Sequence, residues 1–259
     1  MDKKLKVETL NIEHLAAVMR LQDKIIAHLR PDEKHFILKR SAADFMKALD
    51  SENTHMLGVF DGDKLVAQSI FEFPQNGAPR DYAEFVPDIA NEDLVIYKAT
   101  IVDVDYRGMG LMQELLSYRE QKARAAGKTT AISQIAMDNP ASWINAIKNG
   151  MSIRKVDYDP EDHAKVLYMQ KDFYAGEPQP AAENSFAMYI GQNIHKEIPA
   201  LFNKMRYLAG NGYHGVKLDR QTNSIIWSRP QKEKELVLEG ENLSQQFCFA
   251  GVRDKTTRS

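Results

Sequence analysis

The strongest chemical signal in the chain is four residues long, Arg107-Gly108-Met109-Gly110. It follows an apolar, β-rich run, Leu94–Val104, and leads into a segment, Leu111–Ala126, whose apolar residues recur at helical spacing as Leu111/Leu115/Tyr118 and Met112/Leu116/Ala123. A strand that enters a Gly-rich turn and then a helix can bind phosphate. The first N–H groups of the helix have no partner within it, and the helix dipole favours negative charge at that end. Gly108 and Gly110 let the backbone come close to a ligand because no Cβ stands in the way. Arg107 adds a charge that does not titrate near neutral pH. Taken alone, Gly-x-Gly also describes a plain tight turn with a solvated arginine.

Other residue types that could carry chemistry are less organised. The seven histidines, His14, His28, His35, His55, His163, His195 and His214, include no pair at metal-ligand spacing with a carboxylate, so no metal is expected. Cys248, the single cysteine, has no neighbouring His or Gly-rich elbow and reads as neither a nucleophile nor half of a disulfide. Trp143, Phe186, Tyr189, Tyr207 and Tyr213 could line an acceptor pocket, but aromatic residues at such density are more often core.

The elements that must position the glycine turn follow from periodicity. Lys6–Leu10 reads as a strand, Asn11 as the N-cap of a long helical region ended by Arg30-Pro31, and Ser41–Leu49 as a second helix. Thr54–Phe60 and Lys64–Phe73 form two strands joined by Asp61-Gly62-Asp63, a hairpin signal. A polar loop from Pro74 to about Asn91 precedes the fourth strand, Leu94–Val104, and loops of that length are often functional. After the glycine turn and its helix, closed by Gly127, come a strand at Thr129–Met137, a helix at Pro140–Lys148 and strands at Ser152–Asp157 and Lys165–Phe173. The order β-α-α-β-β-β-α-β-α-β-β predicts an α+β or α/β fold for residues 1–174, with a central mixed sheet flanked by helices. Ala175–Glu183 reads as a linker into a C-terminal α+β extension over residues 175–259. Within the extension, Ile190–Leu208 is expected to be helical with a break or kink at Pro199, Gly215–Trp227 to be a hairpin turning near Gln221–Asn223, and Asp254–Ser259 to be a frayed tail.

Val102-x-x-x-Tyr106-Arg107-Gly108-Met109-Gly110 resembles the coenzyme A signature of the GNAT (N-acetyltransferase) superfamily. Asn139-Pro140-Ala141-Ser142 with Lys148-Asn149-Gly150-Met151 resembles that family's second pattern. One helix and one strand separate the two blocks, and the strand order matches over residues 1–174. The resemblance implies a three-layer GNAT-like fold with a mostly antiparallel sheet, and acetyl-coenzyme A (acetyl-CoA) as cosubstrate. It implies that Thr100, Ile101 and Val102 pair with the pantetheine arm where the fourth strand splays from the fifth. It also implies that Arg107, Gly108, Met109, Gly110, Leu111 and Met112 cradle the pyrophosphate, and that Asn139 with Ser142 stands near the thiol end. The expected reaction is direct attack by an amine on the thioester, which needs a base for the ammonium proton and a donor for the thiolate.

Four positions depart from the family pattern. Val104 replaces a proline, and Met112 stands where Gly or Ala is usual. Ala146 occupies the place of the proton-donating tyrosine, and Gln134 the place of the glutamate base of the ribosomal-protein-modifying branch. Neither Ala nor Gln performs acid–base chemistry near neutral pH. The histone-modifying branch carries a Glu near the start of the fourth strand. By that resemblance Glu92 and Asp93 are candidate bases and Tyr97 a candidate donor. The plainer readings, a polar loop for the two acids and core for the tyrosine, stand beside it.

Bulk properties set the remaining bounds. The chain has 259 residues, 43% hydrophobic and 27% charged, which suffices for a buried core without staples. The net charge of −2 gives no reason to expect a nucleic acid or an anionic membrane as partner. Residues Met1–Lys6 lack the apolar stretch of a signal peptide, and no apolar run approaches the roughly 20 residues of a membrane span, so a soluble cytoplasmic protein is expected. The acceptor is expected to be a small-molecule or peptide amine. The extension's apolar face, Ile190, Ile194, Ile198, Leu201, Met205 and Leu208, must bury against the main domain or a second chain, which leaves a homodimer open. The alternative function is a coenzyme A-binding regulatory module that has lost its chemistry.

Overall fold

A computed structural model describes residues 5–30, 33, 37, 39–77, 83–176, 184–191 and 194–230. Most of the linker, Cys248 and the tail lie outside the described residues. Among the described residues no helix is long and apolar enough to cross a membrane.

The elements run β1 (Leu5–Thr9), α1 (Leu15–His28), α2 (Ala42–Leu49), β2 (Thr54–Asp61), β3 (Lys64–Glu72), β4 (Leu94–Val102), α3 (Leu111–Ala125), β5 (Thr130–Ala136), α4 (Pro140–Lys148), β6 (Ser152–Asp159), β7 (Ala164–Asp172), β8 (Ser185–Tyr189), α5 (Ile194–Gly210), β9 (His214–Asp219) and β10 (Ser224–Ser228). Local chemistry explains the boundaries. Asn11 caps a short 3-10 turn that runs into α1, and Ser41 with Asp44 forms a reciprocal capping box at α2. Gly62 takes φ +59° in the tight turn between β2 and β3.

All ten strands form one sheet in the order β1-β2-β3-β4-β5-β7-β6-β9-β10-β8. Every pairing is antiparallel except β4 with β5. One face carries α1 and α2 over a cluster that includes Val18, Leu21, Phe45, Ile70 and Ile101. The other face carries α3, α4 and α5 over a larger cluster, with Leu115, Trp143, Leu167 and Trp227 at its centre. The loop after β3 does not extend freely into solvent. Val86 is buried against Leu94, Ile96 and Ile132, with Phe85 and Ile89 packed alongside.

The extension differs from its sequence reading in two places. Ser185–Tyr189 is a strand, β8, that pairs with β10, and Ile190 follows it outside any helix, so the helix starts at Ile194. An edge strand with one partner needs little apolar patterning, and Met188 and Ile190 mimic the approach of a helical face. The helix is also continuous through Pro199. The segment joins the main sheet through one bridge, Ile153 to Gly215, and Ile198, Leu201, Phe202 and Met205 of α5 bury in the same core as α3 and α4. The apolar face of α5 is thus covered within the chain.

Candidate functional site

The site begins where β4 and β5 part. They pair in parallel only over Leu94–Ile96 with Thr130–Ile132, yet β4 continues to Val102 and β5 to Ala136. At the apex the Ser133 hydroxyl donates to the Tyr97 carbonyl at 3.0 Å, in place of the next ladder bond. Beyond it, the β5-side edge of β4 has no strand partner among the described residues, and exposure rises from buried Tyr97 to exposed Ala99. A bulge in the β3–β4 pairing, with Ile70 facing both Lys98 and Ala99, turns this stretch of β4. Thr100 is tied back to β3 by a 2.8 Å bond between its hydroxyl and that of Ser69. The backbone edge of Thr100, Ile101 and Val102 is therefore open on the β5 side only.

The wedge opens toward the glycine turn. Gly108 and Gly110 have φ of +79° and +80°, a region costly for any residue with a Cβ, and no atom lies within 4 Å of where either Cβ would be. Gly110 is the N-cap of α3, and among the described residues no side chain caps that end, so the first N–H groups of the helix lack a side-chain partner. Arg107 and Met109 are exposed beside it. Met112 turns into the helix layer, where its sulfur meets the Asn145 amide at 3.5 Å and Gln113 donates to the Asn145 carbonyl at 2.9 Å. Its bulk is thus taken up between α3 and α4 and does not block the turn.

One acid that the sequence reading passed over holds the turn in place. Asp103 is fully buried, accepts from the Asp105 N–H at 3.1 Å, and ion-pairs with Lys24 of α1 at 2.6 Å and Lys64 of β3 at 3.1 Å. Burial opposes its charge, but the bonds from Lys24, the Asp105 amide and Lys64 outweigh this and hold the carboxyl down at about 2. Tyr106 adds a bond from its hydroxyl to Asp61 at 2.6 Å.

On the far side of the wedge, Asn139 caps α4 by accepting from the Ser142 N–H at 3.3 Å, and both side chains are partly exposed. Ala146 is buried in the core. Gln134, two residues past the last paired position on β5, donates to Asp159 at 2.6 Å. Lys98, two residues past it on β4, ion-pairs with Glu72. Ile96 and Ile132 share one cluster with Val86, so Lys98 and Gln134 flank the mouth of the wedge on that face.

The three catalytic candidates are placed apart. Tyr97 stands at the apex, but its ring packs in the core under the Arg119 guanidinium, 4.2 Å from the ring centroid. Its hydroxyl is buried with no hydrogen-bond partner, and burial pushes its ionisation up. The same burial pulls Arg119 down to about 10. Glu92 and Asp93 lie in a 3-10 turn at the closed end, with the three paired residues of β4 between them and the apex, which puts even Asp93 about 13 Å behind it. Their carbonyls receive Lys128 Nζ at 2.8 Å and the Thr129 N–H at 2.8 Å.

A model of the acetyltransferase (GNAT) family matches residues 17–150, which spans the wedge, the glycine turn and α4. No curated protein sequence matches the chain. Similar solved structures include an N-acetyltransferase from Staphylococcus aureus Mu50, at 12% identity and TM-score 0.50 over 65% of this chain and 97% of that one. The GNAT domain of S. lividans PAT is similar at 15% identity and TM-score 0.51, over 65% and 90%. So is yncA from Salmonella typhimurium, solved with its cofactor acetyl-CoA, at 14% identity and TM-score 0.50, over 69% and 99%. These likenesses concern the fold. The family match covers more than half of the sequence, and the chain belongs to the acetyltransferase (GNAT) family.

Proposed function

We propose that this protein transfers the acetyl group of acetyl-CoA to the amine of a small molecule or peptide by direct attack. The observation that carries the reading is the continuity of three open features: the unpaired edge of β4, the left-handed glycines, and the uncapped N-terminus of α3. A ligand with a peptide-like arm and a diphosphate matches that sequence of features.

In this reading the backbone of Thr100, Ile101 and Val102 pairs with the pantetheine arm as an extra strand would. Arg107, Gly108, Met109, Gly110, Leu111 and Met112 surround the diphosphate, held by free N–H groups and the helix dipole. Asn139 and Ser142 border the thiol end from α4. Acetyl-CoA supplies an acetyl group activated as a thioester. The helix layer is filled by Tyr97 and Ser133, so the amine enters over the opposite face, past Lys98 and Gln134. The carboxylates at that mouth, Glu72 and Asp159, are already bonded to Lys98 and Gln134. The ammonium therefore loses its proton to solvent water, and the free amine attacks the thioester carbonyl as the C–S bond breaks. The leaving coenzyme A thiolate takes a proton from water, so neither Glu92 and Asp93 as bases nor Tyr97 as donor is required.

Release of free thiol from acetyl-CoA, measured with a panel of polyamine, amino-acid, aminoglycoside and peptide acceptors, tests the reading. Amine-dependent release supports it. Coenzyme A binding without release from any acceptor would mark a binding module instead.

A further inference from the structure

Strand register places a row of side chains across the sheet, starting at the mouth of the wedge. Gln134 of β5 pairs with Tyr168 of β7, and Tyr168 pairs with Lys155 of β6. Cross-strand partners share a face, and Phe85 against Tyr168, with ring centroids 5.4 Å apart, identifies it as the face over which the amine enters. The β6–β7 register shifts between Ile153 and Lys155, so Arg154 is the bulged residue and is aimed beside Lys155. The next step is the single bridge Ile153–Gly215, which sets His214 of β9 across from Arg154.

Arg154 is unusual in this row. It is partly buried, yet among the described residues it has neither a hydrogen bond nor an ion-pair partner. The nearby charges are committed elsewhere. Lys155 lies over the Tyr168 ring at 5.1 Å, and Asp157 is shared between Lys155 at 3.4 Å and Arg206 at 3.1 Å. Burial lowers the Arg154 guanidinium, and burial together with the Arg154 charge lowers His214 to about 4. A guanidinium taken partly out of water without a counter-ion is costly unless an anion completes it. Its planar fork suits a carboxylate or phosphate, and the neutral imidazole beside it can donate one more hydrogen bond.

We propose that Arg154 and His214 form an oxyanion subsite of the acceptor cleft, so that the preferred acceptor is an amine carrying a carboxylate or phosphate at its far end. Two strand spacings separate Gln134 from Arg154, which sets amine and oxyanion about 10 Å apart. This inference rests on the transferase reading for the position of the amine, and its test does not depend on turnover.

The test is calorimetric binding of three probes to the full-length protein loaded with coenzyme A: 8-aminooctanoate, 8-aminooctyl phosphate and the neutral 8-aminooctanamide. The expected result is that at least one oxyanion probe binds about tenfold or more tighter than the amide, as a charged hydrogen bond provides. Which probe binds more tightly identifies the oxyanion. Arg154→Gln should erase the preference and Arg154→Lys should restore part of it. Equal affinity for all three probes, or a preference that survives in Arg154→Gln, would overturn the subsite. If Arg154→Gln does not fold, the wild-type ranking and Arg154→Lys still decide. In a separate assay with acetyl-CoA in place of coenzyme A, absence of thiol release with every probe, alongside an intact binding preference, would instead count against the transferase reading.

Discussion

The hydroxyl of Ser133 donates to the carbonyl of Tyr97 at 3.0 Å, at the residue where the ladder between β4 and β5 ends. A side chain here takes over from a backbone N–H, so the strands part without leaving the first free carbonyl unsatisfied. Ser133→Ala should therefore loosen the apex, weakening coenzyme A binding several-fold, about 1 kcal/mol for one neutral hydrogen bond. Titration of coenzyme A into wild type and variant measures this, and unchanged affinity would remove Ser133 from the account.

The turn that presents the glycines hangs on Asp103. Asp103→Asn should lower stability at neutral pH by about 2 kcal/mol, since the buried carboxyl loses its charge-assisted bonds to Lys24 and Lys64, whose own side chains are partly exposed and stay hydrated. The folded carboxyl sits at about 2, against 3.8 for the ordinary group, so its contribution is complete above about pH 4. It is lost as pH falls through about 2. Denaturant unfolding of wild type and variant should converge toward that pH, and a constant gap would contradict the clamp.

Tyr97→Phe removes a buried hydroxyl that has no hydrogen-bond partner. The expected effect is equal or slightly greater stability, by up to about 1 kcal/mol, with kcat retained. A large fall in kcat in a folded variant would show that the phenol gives a proton to the leaving thiolate.

His214 provides a test of the extension. Its imidazole is lowered to about 4, first by burial and then by Arg154, against 6.5 for the ordinary group. The neutral ring therefore contributes stability above about pH 6.5, and that stability drains as pH falls toward 4, where the unfolded chain binds the extra proton. The melting temperature should drop over this interval in wild type and drop less in His214→Asn. Identical pH profiles would show that the ring is not desolvated.

Much of this was legible in the sequence because it rests on local chemistry. Asp61-Gly62-Asp63 marked a hairpin, Ser41 a helix start, and Gly108 with Gly110 a tight turn whose backbone can come close to a ligand. Each of those signals lies within a few residues of the structure that it specifies. The features that escaped the sequence are partnerships across long separations. Asp103 looked like an ordinary acid between two valines, and its meaning comes from Lys24 and Lys64 on other elements. Gln134 read as a lost base, whereas its amide holds Asp159. Nothing in the sequence around Arg154 singles it out, and only the β6 bulge and the bridge to Gly215 set it beside His214. Strand β8 was missed because its alternation is weak, as an edge strand with one partner allows.

Under the proposed function, the turn at Gly108–Met112 binds the diphosphate of acetyl-CoA. The most direct test is calorimetric titration of acetyl-CoA into the full-length wild type and into Gly110→Glu. The substitution places a side chain at φ +80° and a negative charge at the uncapped start of α3. Saturable binding in the wild type and its loss in the folded variant are the predicted result. Equal affinity in the two proteins would contradict the assignment.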